Sequence, residues 1–207
     1  MIRYRSIKKK ATVEQVIERS RFIGHASPVE TKEEALDFFS QIRDIHKAAT
    51  HNVPAFVIGE KSHLLWASDD GEPQGTSGPP ILQMIVREGI TNIAVIVTRY
   101  FGGIKLGTGG LVRAYTTVAK AAIDAAKICD VREMNILTVK LDYGCLGKLQ
   151  NLAAGDVFSI DNIIYEDKVT MDILSEPEKQ DETMEILSSI TGGQFDELGM
   201  RQELVKT

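Results

Sequence analysis

TNIAVIVTRYFGGIKLGTGGLVRAYTTVAKAAIDAA, residues 91–126, joins two periodicities across one glycine-rich corner. Residues 91–98 form an unbroken run rich in β-branched side chains, which predicts a strand covered on both faces. Beyond the corner, Leu111, Val112, Tyr115, Val118, Ala119, Ala122, Ile123 and Ala126 recur at helical spacing, which predicts an amphipathic helix with Thr108 just ahead of it. Upstream, residues 13–19 and 21–29 alternate as strands on either side of Ser20. Thr31 with Glu34 is a capping box that opens a helix running to about Lys47. Residues 52–58 and 63–67 read as strands about Gly59, and SDDGEPQGTSG, residues 68–78, is a turn-rich loop. Pro79 and Pro80 suit the first turn of a helix reaching Glu88.

Downstream the pattern changes. Residues 136–142 read as strand, 145–154 as helix, 157–165 and 169–174 as a strand pair, 179–191 as helix and 194–205 as strand. The order βαββαβ is the split βαβ arrangement of ferredoxin-like domains. We expect two domains, residues 1–130 and 131–207, and composition changes at the same place. The first span holds 17 Lys and Arg against 14 Asp and Glu, the second 7 against 15, so the total of −5 hides a basic half and an acidic one. Residues 3, 5, 8, 9 and 10 are all basic and read as a positive arm.

With 43% apolar and 26% charged residues in 207, the chain can build packed cores and does not read as disordered. It contains no apolar run near the length of a membrane span and opens with no signal-peptide pattern, so a cytoplasmic protein is expected. Cys129 and Cys145 lack the spacing of a disulfide framework or a zinc site.

The chemistry is sought at the glycine corner. Gly102, Gly103, Gly107, Gly109 and Gly110 free the backbone to approach a ligand directly before a helix N-terminus. Residues 89–123 contain no Asp or Glu but do contain Arg99, Lys105, Arg113 and Lys120, a field suited to phosphate or carboxylate. In this reading Arg99, Lys105 and Arg113 supply charge, residues 102–110 including Thr108 supply backbone donors, Tyr100 and Phe101 stack bases, and His51 and Ser77 add polar contacts at the rim. Nucleotide fingerprints are not met: Thr108 and Gly109 stand where a P-loop requires Lys and Ser or Thr, so no cofactor is expected. Asp69, Asp70 and Glu72 are candidate polar or metal-binding residues in the 68–78 loop, although the loop lacks EF-hand spacing and no metal is assigned.

ATHNV (49–53), SDDGEPQGTSG (68–78) and VTRYFGGIKLGTGGLVRAY (97–115), with SRFIG (20–24) upstream, together resemble the IMPACT family in its bacterial, YigZ-type form. The resemblance implies an α+β N-terminal domain similar to the second domain of a small-subunit ribosomal protein, and a ferredoxin-like C-terminal domain similar to the last domain of elongation factor G. It also implies a role linked to translation. We therefore expect a non-catalytic protein that binds RNA or a ribosomal surface through the basic glycine loop, with a protein partner for the C-terminal domain. The alternatives are an enzyme acting on a phosphorylated or carboxylated small molecule through His51, Asp69, Asp70 and Glu72, and a protein-binding adaptor.

Overall fold

A computed structural model of the protein describes residues 1–153, 155 and 157–207. It divides into one unit of Tyr4–Asp130 and a second of Met1–Arg3 with Val131–Thr207. The chain runs β1 (Ile2–Ile7), β2 (Ala11–Ile17), β3 (Ser20–Pro28), α1 (Lys32–Ile45), β4 (His51–Ile58), β5 (Leu64–Ala67), α2 (Gly78–Arg87), β6 (Ile93–Tyr100), α3 (Gly107–Ala125), β7 (Ile128–Leu141), α4 (Tyr143–Leu152), β8 (Phe158–Tyr165), β9 (Val169–Ser175), α5 (Gln180–Thr191) and β10 (Asp196–Lys206). Among the described residues no helix is long and apolar enough to cross a membrane.

In the first unit an antiparallel sheet of order β2-β3-β6-β4-β5 has helices on both faces. Strand alternation decides which residues each helix meets. Val53, Ala55 and Val57 of β4 and Val95 and Val97 of β6 pack with α2 and α3, whereas Phe56, Ile58, Ala94 and Ile96 pack with Ala35, Phe38, Phe39 and Ile42 of α1. The run at 91–98 is apolar without alternation because both of its faces are covered. Contact between α3 and β3 is close: a Cβ on Gly24 would lie 2.8 Å from the Val118 carbonyl oxygen.

The helix starts follow local chemistry. Thr31 caps α1 by accepting from the Glu34 amide, and the Glu34 carboxylate reaches back to the Glu30 amide. Pro79 and Pro80 occupy the first turn of α2, where no amide donor is required. By contrast, α3 begins without a side-chain cap, and Thr108 stands inside its first turn instead of ahead of it.

The basic arm expected at residues 3–10 keeps all five basic residues exposed, but part of it is a strand. Residues 2–7 form β1, with Ser6 and Ile7 fully buried. Arg5 donates to the Glu88 carbonyl, Arg3 lies 3.9 Å from Glu133, and the Lys10 ammonium stands 5.9 Å from the Phe38 ring centre. The alternation of IRYRSI was present in the sequence, but its charges masked it.

The second sheet has five strands: β10-β7-β9-β8 follow the antiparallel 4-1-3-2 order of a ferredoxin-like domain, and β1 also pairs with β7. Leu137, Val139, Leu141, Val169, Met171 and Ile173 meet Leu149 of α4 and Leu187 of α5. The expected end of α4 at residue 154 lies outside the described residues.

His25 of β3 faces α1 and is 6% exposed, with Nδ1 3.0 Å from the Thr12 hydroxyl and Nε2 buried without a partner. Burial, with a smaller contribution from His46, pushes its pKa down to about 4 from 6.5. Between those values the unfolded chain binds the proton and the folded chain does not, so stability falls as pH drops from 6.5 towards 4. Urea unfolding of wild type across this window should show a loss on the order of 3 kcal/mol that His25→Gln lacks; equal pH slopes would contradict this assignment.

Candidate nucleic-acid interface

Alternation along β6 sets Arg99 on the same face as Val95 and Val97, towards α3. There its Nη1 donates to Glu72 Oε1 at 2.7 Å, and the Tyr115 hydroxyl of α3 donates to the same oxygen at 2.7 Å. Nη2 donates to Ser20 Oγ at 3.3 Å, and the rings of Phe22 and Phe101 each stand 5.4 Å from the guanidinium. His51, the first residue of β4, places Nε2 3.8 Å from Glu72 Oε2 and bonds the Asp70 carbonyl through Nδ1 at 2.8 Å. The four sequence blocks at 20–24, 49–53, 68–78 and 97–115 thus meet at one ion pair. Burial, followed by the Glu72 hydrogen bond and charge, raises the Tyr115 pKa and keeps the phenol a donor.

This geometry corrects several expectations. The side chains of Arg99 and Glu72 are 6% and 4% exposed, so Arg99 is an internally neutralised cation and not a fork held out to phosphate. The reason is positional: an inward side chain near the end of a buried strand must carry its counterion with it. Tyr100, on the opposite face, is half-buried, bonds His46 Nδ1 through its hydroxyl and lies under the Arg21 guanidinium, so less of its ring is open than of Phe101. The Gly102 amide donates to Ser20 Oγ, and a Cβ there would fall 1.9 Å from the Arg19 carbonyl oxygen; this glycine serves packing.

The acidic loop also turns inward. One Asp69 carboxylate accepts from the amides of Gly75, Ser77 and Gly78 and from the Ser77 hydroxyl, closing the loop and capping α2 from a distance. Desolvation raises its pKa, but these hydrogen bonds outweigh that effect and hold it below the usual carboxylate value. Ser77 is fully buried against Asp69 and is not a rim contact. Asp70 accepts from the Asn52 amide at 2.6 Å, while Glu72 faces Arg99. The three acids diverge, and no metal-holding group of three His, Cys, Asp or Glu residues occurs among the described residues.

Phe101, 47% exposed, remains open, as do Gly103, Lys105, Gly107, Thr108, Gly109 and Arg113, with Gly110 half-buried. Of the four cations in the acid-free span, Arg99 and Lys120 are paired, the latter to Glu88 and Asp124. Lys105 and Arg113 have no ion-pair partner among the described residues. They flank the uncapped start of α3, whose first amides have no intrahelical acceptors. A cleft of about 470 Å³ on one side is lined by His51, Glu72, Arg99, Phe101, Lys105 and Leu106. Another of about 480 Å³ is lined by Ile17, Glu18, Ile104, Lys105, Arg113 and Thr117. Sequence reasoning passed over Tyr115 and Ser20. A tyrosine within an otherwise apolar stripe was the available signal, because its buried hydroxyl requires a partner.

The family model described as the Impact N-terminal domain matches residues 18–123, which enclose every residue of the Arg99 network. A second model, described as a domain of unknown function, matches residues 139–194. The chain is 38% identical to the IMPACT family member YvyE of Bacillus subtilis (strain 168), over 93% of this chain and 89% of that protein. It is 44% identical to the IMPACT family member YigZ of Escherichia coli (strain K12), over 50% of this chain and 52% of that protein. A crystal structure titled only as that of an hypothetical protein superimposes with a TM-score of 0.60 and 31% identity, covering 97% of this chain and 98% of the other.

Removing one partner of the buried pair leaves an uncompensated charge. Glu72→Ala should therefore lower stability by about 3–5 kcal/mol in urea unfolding, and adding Arg99→Met should restore part of the loss. A Glu72→Ala protein as stable as wild type would show that the pair carries no structural weight.

Proposed function

This chain belongs to the IMPACT family, and on that premise we propose that it is a cytoplasmic, non-catalytic, translation-associated protein whose Tyr4–Asp130 unit binds single-stranded RNA. One observation carries the reading: two exposed cations without ion-pair partners among the described residues, Lys105 and Arg113, stand beside the uncapped N-terminus of a 19-residue helix in a span without acids. Phosphates are drawn to that combination because the helix end adds about half a positive charge to the lysine and arginine. Phe101 offers an exposed ring beside the loop on which a base can stack. Backbone contacts of this kind position RNA without reading its sequence.

The competing reading, an enzyme acting on a phosphorylated or carboxylated small molecule, drew its acids and bases from Asp69, Asp70, Glu72 and His51. Both aspartates are committed to backbone amides, which favours binding over acid–base chemistry. The link to translation rests on the family resemblance and is tested by co-sedimentation with ribosomes. In this reading the acidic second unit repels nucleic acid and faces a protein partner, so the RNA stays on the first.

Binding of a fluorescent 12-nucleotide RNA should weaken steeply between 50 and 200 mM salt, by about 0.7 in the log–log slope for each phosphate neutralised. Lys105→Ala with Arg113→Ala should therefore reduce that slope by roughly 1.4. An affinity indifferent to salt, or a slope unchanged in the double variant, would sink the proposal.

A further inference from the structure

The floor of the 470 Å³ cleft has a feature that phosphate contacts do not use. His51 Nδ1 bonds a carbonyl oxygen, which only accepts, so Nδ1 carries the hydrogen and Nε2 of the neutral ring presents a lone pair. In the neutral ring that lone pair faces Glu72 Oε2 at 3.8 Å, whereas a protonated ring would ion-pair with the carboxylate there, so the diol site belongs to the neutral form. Both hydrogen bonds to the carboxylate, from Arg99 and Tyr115, end on Oε1, and Oε2 has no hydrogen-bond partner among the described residues. Glu72 is more than nine-tenths buried, so an unused acceptor on it sits beside a second acceptor at the bottom of a cleft. Arg99 Nε, also in the lining residue set, is buried without a partner.

Two adjacent acceptors call for a ligand with two adjacent donors. A ribose with free 2′ and 3′ hydroxyls has them on neighbouring carbons. Leu106, Leu111 and Phe101 supply apolar wall for a base, while Lys105 and the α3 start at Gly107 and Thr108 supply the rim for a 5′-phosphate. Nucleotide-binding sites elsewhere use a carboxylate on ribose hydroxyls in the same way. Resting on the RNA reading above, we infer that this cleft seats the 3′-terminal nucleotide of an RNA, recognised by its free cis-diol through His51 Nε2 and Glu72 Oε2.

The experiment compares, on the wild-type chain, a 12-nucleotide RNA with a free 3′ end, the same RNA with a 3′-phosphate, the same RNA ending in a 2′,3′-dideoxynucleotide, and free uridine 5′-monophosphate as competitor. The free end should bind about tenfold more tightly than either blocked end. His51→Ala should erase that preference for the free end. Blocked and free ends binding equally, with salt-dependent RNA binding preserved, overturns this inference and leaves the RNA reading standing. No RNA binding at low salt overturns both, and uridine monophosphate binding as tightly as the RNA reassigns the cleft to a free nucleotide. The comparison of ends needs no substitution, so an unfolded His51 variant would not obscure the result.

Discussion

One ion pair holds the Tyr4–Asp130 unit to its particular arrangement. Arg99 and Glu72 lie out of water, and their mutual attraction at 2.7 Å must offset the desolvation of two charges. At an effective dielectric of about 20, charges about 4 Å apart attract by about 4 kcal/mol, comparable with the several kcal/mol lost per ion on burial. Two ions incur that loss, so the pair is at best neutral as a source of stability. It is nonetheless costly to break, and that asymmetry makes it a device for registration. Glu72 comes from an irregular loop, Arg99 from a strand, Tyr115 from a helix and Ser20 from the end of a hairpin. The network forms only when all four segments are in place.

That joint also partitions the charge of the glycine corner. A corner with all its cations free would attract any polyanion, and one with all of them paired would attract none. Here the rigid cation is turned inward and used for structure, while Lys105 and Arg113 remain in solvent on the adjoining loop and helix. The exposed loop is thus carried on a fixed base. Asp69 does similar work for the neighbouring segment, since its four hydrogen bonds hold the 68–78 loop in the shape that delivers Glu72. The glycines divide in the same manner: Gly102 and Gly24 let backbones touch, whereas Gly103 and Gly107 adopt φ near +85° and +70° with open space around them.

Elements whose signals are local were legible in the sequence. The capping box at Thr31, the prolines opening α2, the unbroken apolar run of β6 and the βαββαβ order of the second unit each depend on residues within a few positions of one another. Failures occurred mainly where the deciding partner was distant in the chain. Strand β1 was hidden because its arginines read as a solvated arm, though Arg5 bonds the Glu88 carbonyl, 83 residues away. Thr108 was placed outside α3 because a threonine before an apolar stripe resembles a cap, yet no side chain caps that helix.

For the site itself, the sequence by itself determined which residues could matter: the glycine corner, the acid-free span and the loop of Asp69, Asp70 and Glu72 stand out by composition alone. Only the tertiary structure decided what each one does. Charge is a property of a residue, whereas neutralisation is a property of a pair, and Glu72 and Arg99 are 27 positions apart. The side of a strand on which Arg99 falls follows from alternation, but what waits on that side depends on how α3 and the 68–78 loop pack. Local chemistry therefore drew the outline of a cationic surface, and long-range packing removed Arg99 from it and left Lys105 and Arg113.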